Sequence, residues 1–388
     1  MFKSALRCPI SRSLVVVVAV VSTCTADELR TPYTESELQN AVPMVIPGVR
    51  TWADAPLSVL RPQVAQLPPL NGSHEFSVLA LSGGGEHGAF GAGLLNGWSQ
   101  SGERPTFSIV TGISTGALMA PFAFLGSAYD QRLKALYTDM SFHGILSGSP
   151  VVGFFGEGLY NTRPLQRIVA RQVDRTMLAD IAAAHRQGRR LFVVTTNLDA
   201  QRPVLWNMGA IAASERPGAL ELFRKVLLAS ASVPGLFDPV FIEAEANGRH
   251  FKEMHVDGGT SLQVLAIPLK LAAADRLFAA HHPPGQLYII INNILEPTFT
   301  VTKPKTLSIT ARAFNTLVKS DFYDTILGSY LFAMKQGLKF NLVHRLICSW
   351  HMAAARRVAL KMGRRLRCSS VTYRFRYAPS SRLAVGPF

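Results

Sequence analysis

The sequence predicts an α/β fold around a mostly parallel central sheet. Strand and helix patterns alternate through the middle of the chain, the order that packs helices against a parallel sheet. Gln286–Asn292 (QLYIIIN) is apolar on both faces, as a strand inside such a sheet has to be. Phe76–Ala117 is the tightest stretch of the alternation, running strand, glycines, helix, strand, turn and helix. With 388 residues, 48% of them hydrophobic, there is room for one large domain with extensions.

Residues 1–26 read as an export signal. Lys3, Arg7 and Arg12 precede the apolar run Leu14–Val21, which is too short to span a bilayer. Val21-Ser22-Thr23-Cys24 is similar to a bacterial lipobox with Cys24 as the acylated residue, although Thr23 departs from the small residue preferred there. Cleavage after Ala26 and an uncleaved anchor are the alternatives. The expectation is an exported protein, periplasmic or held to the membrane by an N-terminal lipid. Residues 27–75 are proline-rich with little periodicity and read as an extended arm that packs on the domain or tethers it.

Residues 76–340 carry the α/β pattern. Phe76–Ser82 and Phe107–Thr111 are apolar strands, Ser114–Leu125 is an apolar helix, and Asp130–Met140 is an amphipathic one. Phe142–Tyr160, rich in glycine and aromatics, reads as an irregular loop over the core or a mobile lid. Helices follow over Thr162–Val173, with Pro164 in the first turn, and Met177–Gln187. Arg190–Thr196 and Arg202–Asn207 are strands, with Asn197 and Asp199 serving the turn between them or the order of the cleft. Gly218–Ala231 is a helix, and Phe251–Val256 is a strand ending at Asp257. Pro268–Ala280 and Thr306–Leu338 are helical, the second with Phe314, Leu317, Phe322, Ile326, Tyr330 and Met334 expected to be buried. No internal repeat is visible.

The net charge of +15 is not a nucleic-acid signal, because of where it sits. Residues 341–388 hold ten Lys/Arg and no acid, leaving 30 Lys/Arg against 25 Asp/Glu in the rest. This tail is a basic surface element or sequence read out of frame, and no chemistry is assigned to it. The four cysteines, Cys8, Cys24, Cys348 and Cys368, have neither metal nor disulfide-framework spacing. No metal and no cofactor are expected.

Gly112-Ile113-Ser114-Thr115-Gly116, between a strand and a helix, is a nucleophile-elbow pattern. The serine needs a sharp turn, small neighbours let strand and helix pass closely, and the helix N-terminus favours negative charge nearby. Taken alone, the pattern is also a glycine-flanked helix cap. Gly83-Gly84-Gly85, with Gly88 following, exposes main-chain N–H groups suited to an anion. That anion is an acyl-transfer oxyanion or a pyrophosphate, since Gly83-x-Gly85-x-x-Gly88 also matches the dinucleotide fingerprint. The nucleotide reading lacks its acid, because the second strand leads straight to Ser114 and Glu103 precedes that strand. Asp257-Gly258-Gly259 is a turn in isolation.

Together, in this order, the three motifs resemble the patatin-like phospholipase family of serine lipid acyl hydrolases, over roughly Phe76–Leu338. Ala229–Gly235 resembles the segment before that family's aspartate, and the chain departs from it at His87, where Arg or Lys is common. The resemblance implies a three-layer α/β/α fold, with Ser114 as nucleophile, Asp257 as general base, and an oxyanion hole at Gly83, Gly84 and Gly85. Gly88, Gly112, Gly116, Gly258 and Gly259 support the motifs. It also implies an acyl-enzyme intermediate, a phospholipid or related acyl-lipid substrate, and work at a membrane surface. Among the histidines adjacent to motifs (His87, His143, His250 and His255), His255 is the best alternative base, since it shares a strand face with Asp257. A catalytically inactive or nucleotide-binding surface lipoprotein of the same fold is the alternative function.

Overall fold

The computed structural model describes residues 30–44, 46–65, 76–139, 158–160, 162–266, 285–345 and 373–374. The export signal with Cys24, most of the Phe142–Tyr160 stretch with His143, the Pro268–Ala280 helix, and the tail beyond Arg345 apart from 373–374 lie outside them.

Five parallel strands form the centre of the sheet, in the order β6 (Arg190–Asn197), β4 (Ile109–Ile113), β3 (Ser77–Leu81), β11 (Gln286–Ile294) and β12 (Lys339–Arg345). Every residue of β3, β4 and β6 is buried, which requires layers on both faces. On one face Leu79, Leu81, Val110, Leu191 and Val193 pack against helices α3 (Gly88–Gln100), α4 (Thr115–Leu125), α5 (Asp130–Asp139), α6 (Arg163–Gln172), α7 (Arg175–Arg186), α8 (Met208–Ala213) and α9 (Ala219–Ser230). The alternate residues Val78, Ala80, Ile109, Ile113, Phe192 and Val194 face Leu60 of α2 (Leu57–Ala65), Val264–Ala266, and Phe322 and Phe332 of α10 (Thr306–Gln336). The architecture is therefore three-layered, α/β/α, with the sheet mostly parallel.

Antiparallel strands flank this centre. β7 (Arg202–Asn207) pairs with β6 along Phe192–Asn197, and β10 (Arg249–Asp257) pairs with β6 through His255–Asp257. β9 (Val240–Ala246) and β10 form a hairpin closed by Asn247-Gly248, both at positive φ, the residue pair that a type I′ turn favours. Gly158–Tyr160 (β5) and Gly235–Phe237 (β8) make a separate two-stranded pair.

The arm is built into this sheet. Its α1 (Glu35–Gln39) starts at a capping box of Thr34 and Glu37. β1 (Val42–Pro43) then joins β9, and β2 (Arg50–Trp52) joins β7. Tyr33 stacks on Phe251 at 4.3 Å, and Arg30 pairs with Asp199. Asn197, fully buried, accepts from the Ala200 N–H at 3.0 Å. Both residues thus serve the turn and the arm.

The structure moves two expectations. β12 crosses the 340/341 boundary suggested by composition, so Asn341–Arg345 belong to the sheet, where Asn341–His344 pair with Tyr288–Ile291. On α10, Phe322 is buried and Ile326 and Tyr330 are partly so, but Phe314, Leu317 and Met334 are exposed. Phe314 and Leu317 lie in the first half of the helix, most of which is exposed, and Met334 lies off the face that carries Phe322. Among the described residues no helix is long and apolar enough to cross a membrane.

Gly116 sets how closely α4 approaches β3. A Cβ there would lie 2.6 Å from the Ser82 carbonyl oxygen and closer still to that of Leu81. Gly116→Ala should destabilise the fold by about 1–3 kcal/mol through overpacking. Gly93→Ala, where a Cβ meets nothing within 4 Å, should stabilise it by about 0.5–1 kcal/mol. Denaturant midpoints of the two variants check the pair.

Candidate active site

β4 and β10 bring two side chains to one point. β7 occupies one side of β6, so β4 and β10 share the other, running in opposite directions. β4 ends with Ile113 opposite Val194, and β10 ends with Asp257 opposite Thr195, the next residue. The residue after one strand end and the last residue of the other therefore meet: Ser114 Oγ donates to Asp257 Oδ2 at 2.6 Å. Gly258 fits there because a Cβ would strike the Val194 carbonyl and lie 3.1 Å from Ile113 Cγ2.

Ser114 sits at φ 55°, ψ −125°, a sparsely populated conformation for a residue with a side chain. Several contacts hold it there. Its N–H donates to Ser230 Oγ at 3.0 Å, and that hydroxyl donates to the Val194 carbonyl at 2.6 Å. Its carbonyl accepts from the Ala117 N–H at 2.9 Å as α4 begins. A Cβ on Gly112 would lie 2.5 Å from the Gly116 carbonyl oxygen, so both glycines of the elbow are needed for the closeness of the turn. The side chain is 7% exposed at the N-terminus of α4, whose first N–H groups have no acceptor within the helix.

Asp257 is buried, and its carboxylate is fixed at both oxygens, Oδ2 by Ser114 and Oδ1 by the Gly259 N–H at 2.6 Å. Burial pushes its pKa up to about 7, against the Ser114 and Gly259 hydrogen bonds, which favour the charged form. The result is a carboxyl group that is a far better proton acceptor than an exposed aspartate.

The glycine run lies against the same serine. A Cβ on Gly83 would be 3.3 Å from Ser114 Cβ. Of the three glycines read as oxyanion donors, Gly83 already gives its N–H to the Gln263 carbonyl at 3.2 Å. Gly84 and Gly85 open the short 3-10 turn that leads into α3. Gly84 has φ +156° and packs on the Asn292 carbonyl, a place no side chain could enter.

Asn292 was not singled out by the sequence. Fully buried on β11, it donates from Nδ2 to the Ser82 carbonyl at 2.9 Å and accepts the Gly91 N–H at 3.1 Å. Its own N–H donates to Ser82 Oγ at 2.8 Å, so one residue clips both ends of the glycine run. Gly88 faces Thr115 and Tyr137, and the Tyr137 hydroxyl lies 2.7 Å from Thr115 Oγ1. Ser230 lies within the Ala229–Gly235 segment but was given no role there, and Gln263 was not picked out.

The histidines take other places. His255 is fully buried, with Nε2 3.1 Å from Glu253 Oε2 and Nδ1 2.9 Å from Thr195 Oγ1, so both ring nitrogens are engaged away from Ser114. Burial lowers its pKa, outweighing the pull of Glu253. Burial pushes Glu253 up, yet its bonds to Arg50 and His255 and their charges hold it down at about 2. His87 caps α3, with its pKa lowered by burial and by Arg345. His250 is exposed near Glu245. Glu103 is exposed before β4. A groove of about 650 Å³ between α6, α7 and α9 shares no residue with the Ser114 site. Among the described residues no cluster of His, Cys, Asp and Glu could hold a metal ion.

Three comparisons bear on this geometry. The family model of patatin-like phospholipases matches residues 79–272, half of the chain and inclusive of Ser114 and Asp257. VipD from Legionella pneumophila, known from a crystal structure, is 12% identical, with a TM-score of 0.37 over 70% of this chain. The match spans 61% of the length of VipD. No curated protein matches. On the family match, this chain belongs to the patatin-like phospholipase family.

Proposed function

We propose that this protein is a serine lipid acyl hydrolase that cleaves carboxylic esters of phospholipids or related acyl lipids through a Ser114–Asp257 dyad. One observation carries the reading: a strained, nearly buried serine donates at 2.6 Å to a buried aspartate whose proton affinity is raised. A serine hydroxyl is a weak nucleophile until a base takes its proton, and Asp257 is the group in contact with it.

In this mechanism Asp257 takes the Ser114 proton as Oγ attacks the ester carbonyl. The N–H groups of Gly84 and Gly85, with the N-terminus of α4, stabilise the oxyanion. Collapse expels the alcohol, which leaves with the proton held by Asp257. A water, deprotonated by the same carboxylate, then attacks the acyl-serine; the C–Oγ bond breaks, the fatty acid is released, and Asp257 returns the proton to Ser114 Oγ. The apolar surroundings that raise the Asp257 pKa toward working pH are those that make it an effective base.

The residues 1–26 reading extends this to an exported protein with Cys24 lipidated, placing the enzyme on a membrane. Incorporation of an alkynyl fatty acid that disappears in Cys24→Ala checks it; equal incorporation in both would refute it.

A fluorophosphonate should label the wild type and not Ser114→Ala. Asp257→Asn should lower kcat by about 10²–10⁴. Because the base must be charged, the rate should fall below about pH 7, tenfold per unit. A profile flat down to pH 5 would move the base elsewhere. Stability runs the other way. The folded pKa of Asp257 lies above its unfolded value, so the native state binds more protons and loses stability as pH rises between about 4 and 7. Asp257→Asn should therefore raise Tm at pH 8 while lowering kcat.

A further inference from the structure

We propose that the outward side of α10, with the loop 295–305 before it, is a docking face that seats the active site on an anionic lipid surface; the choice of lipid rests on the acyl-ester reading of Ser114. α10 is apolar on two opposite sides. Phe322, Phe332 and Ala333 bury one against the sheet. Ile309, Leu317, Leu327 and Leu331 stand on the other, Leu317 being 69% exposed. Isolated exposed leucines are ordinary, but a second apolar stripe along one helix is not. The loop continues it, with Phe299 at 92% and Val301 at 80% exposure.

The face is tied to the catalytic centre. Lys319 Nζ donates to the Glu296 carbonyl at 2.5 Å, Arg312 donates to that of Thr298, and Tyr323 OH donates to that of Leu295 at 3.1 Å, so the loop lies along the helix. Asp321, at mid-helix, accepts the Gln263 N–H at 3.0 Å, and the Gln263 carbonyl accepts the Gly83 N–H. Two hydrogen bonds therefore separate this helix from the glycine run beside Ser114.

Charge selects the occupant. Residues 296–331 contain Lys303, Lys305, Arg312 and Lys319 against Glu296, Asp321 and Asp324, and all four cations lie in the loop and the first half of the helix, ahead of the two aspartates. A two-fold contact with a second copy would set this face against its own cations. Residues 346–388 are no better suited, with nine Lys/Arg and no acid. An anionic phospholipid layer matches both features, taking the apolar side chains between its acyl chains and the lysines at its phosphates.

Full-length Ser114→Ala protein, which separates binding from turnover, is spun with vesicles of phosphatidylglycerol and phosphatidylcholine, and with phosphatidylcholine alone. Phe299→Ser/Leu317→Ser/Leu331→Ser, all at exposed positions, should weaken partitioning to the mixed vesicles about tenfold or more. Lys303→Glu/Lys305→Glu should abolish the preference for phosphatidylglycerol. In the active background the triple variant should lose vesicle hydrolysis and keep its rate on soluble p-nitrophenyl butyrate. Unchanged vesicle binding by the triple variant overturns the proposal, as does a wild-type dimer that the triple variant dissociates. If the wild type binds vesicles through this face yet hydrolyses neither substrate, the docking face stands and the hydrolase reading falls.

Discussion

Two strands approach each other head-on along one edge of β6, and the site exists because they stop one register step apart. β4 enters the sheet parallel and β10 antiparallel, so neither could pair with Val194–Thr195 if the other ran further. The end of each is set by a glycine that lets the backbone turn without a side chain in the way, Gly112 and Gly116 around Ser114 and Gly258 after Asp257. Sheet register is rigid, because a one-residue slip would send every side chain of these strands to the opposite helical layer. The 2.6 Å contact between Ser114 and Asp257 is thus inherited from the core of the molecule. It does not depend on the conformation of a surface loop.

That placement has an energetic consequence. A carboxylate surrounded by main chain and apolar side chains is a destabilised group, held near neutrality by desolvation and partly recovered by the Ser114 and Gly259 hydrogen bonds. Ser114 adds backbone strain at φ 55°. The surrounding buried strands, all five residues of β4 and all eight of β6, supply the compensating stability. The most strained and most desolvated groups therefore sit where the sheet is most completely packed.

Much of this could be read from residues alone, for identifiable reasons. The elbow, the glycine run and the Asp-Gly-Gly turn are local patterns, and each carries its spacing within a few residues. Buried strands such as β6 and β11 declare themselves by continuous apolar runs. β9 was missed although Asn247-Gly248 marks its hairpin and Glu243 and Glu245 alternate with buried Ile242, Ala244 and Ala246, because Glu and Ala have little strand propensity. β1 and β2 are two and three residues long and acquire their identity only from their partners β9 and β7. Asn292 and Gln263 contribute through contacts with residues far away in the chain, information that no local pattern contains. On α10 the apolar period was real, but apolar residues on two sides cannot be assigned to one core from spacing alone.

The arrangement around His255 engages the imidazole away from Ser114. An acid–histidine pair, Glu253 and His255, lies on the strand that carries Asp257, with the histidine two residues away. Its orientation forbids use as the serine's base. Thr195 Oγ1 meets Nδ1 and also accepts from Trp206 Nε1 at 2.8 Å, while Arg50 binds the far side of Glu253. Freeing either ring nitrogen would leave a buried donor or acceptor unpaired, at a cost of about 1–3 kcal/mol. The histidine instead braces β6 against β10 directly behind the aspartate, fixing the strand end from which Asp257 reaches Ser114. The imidazole thus holds the register, and on the proposed dyad reading proton transfer falls to Asp257.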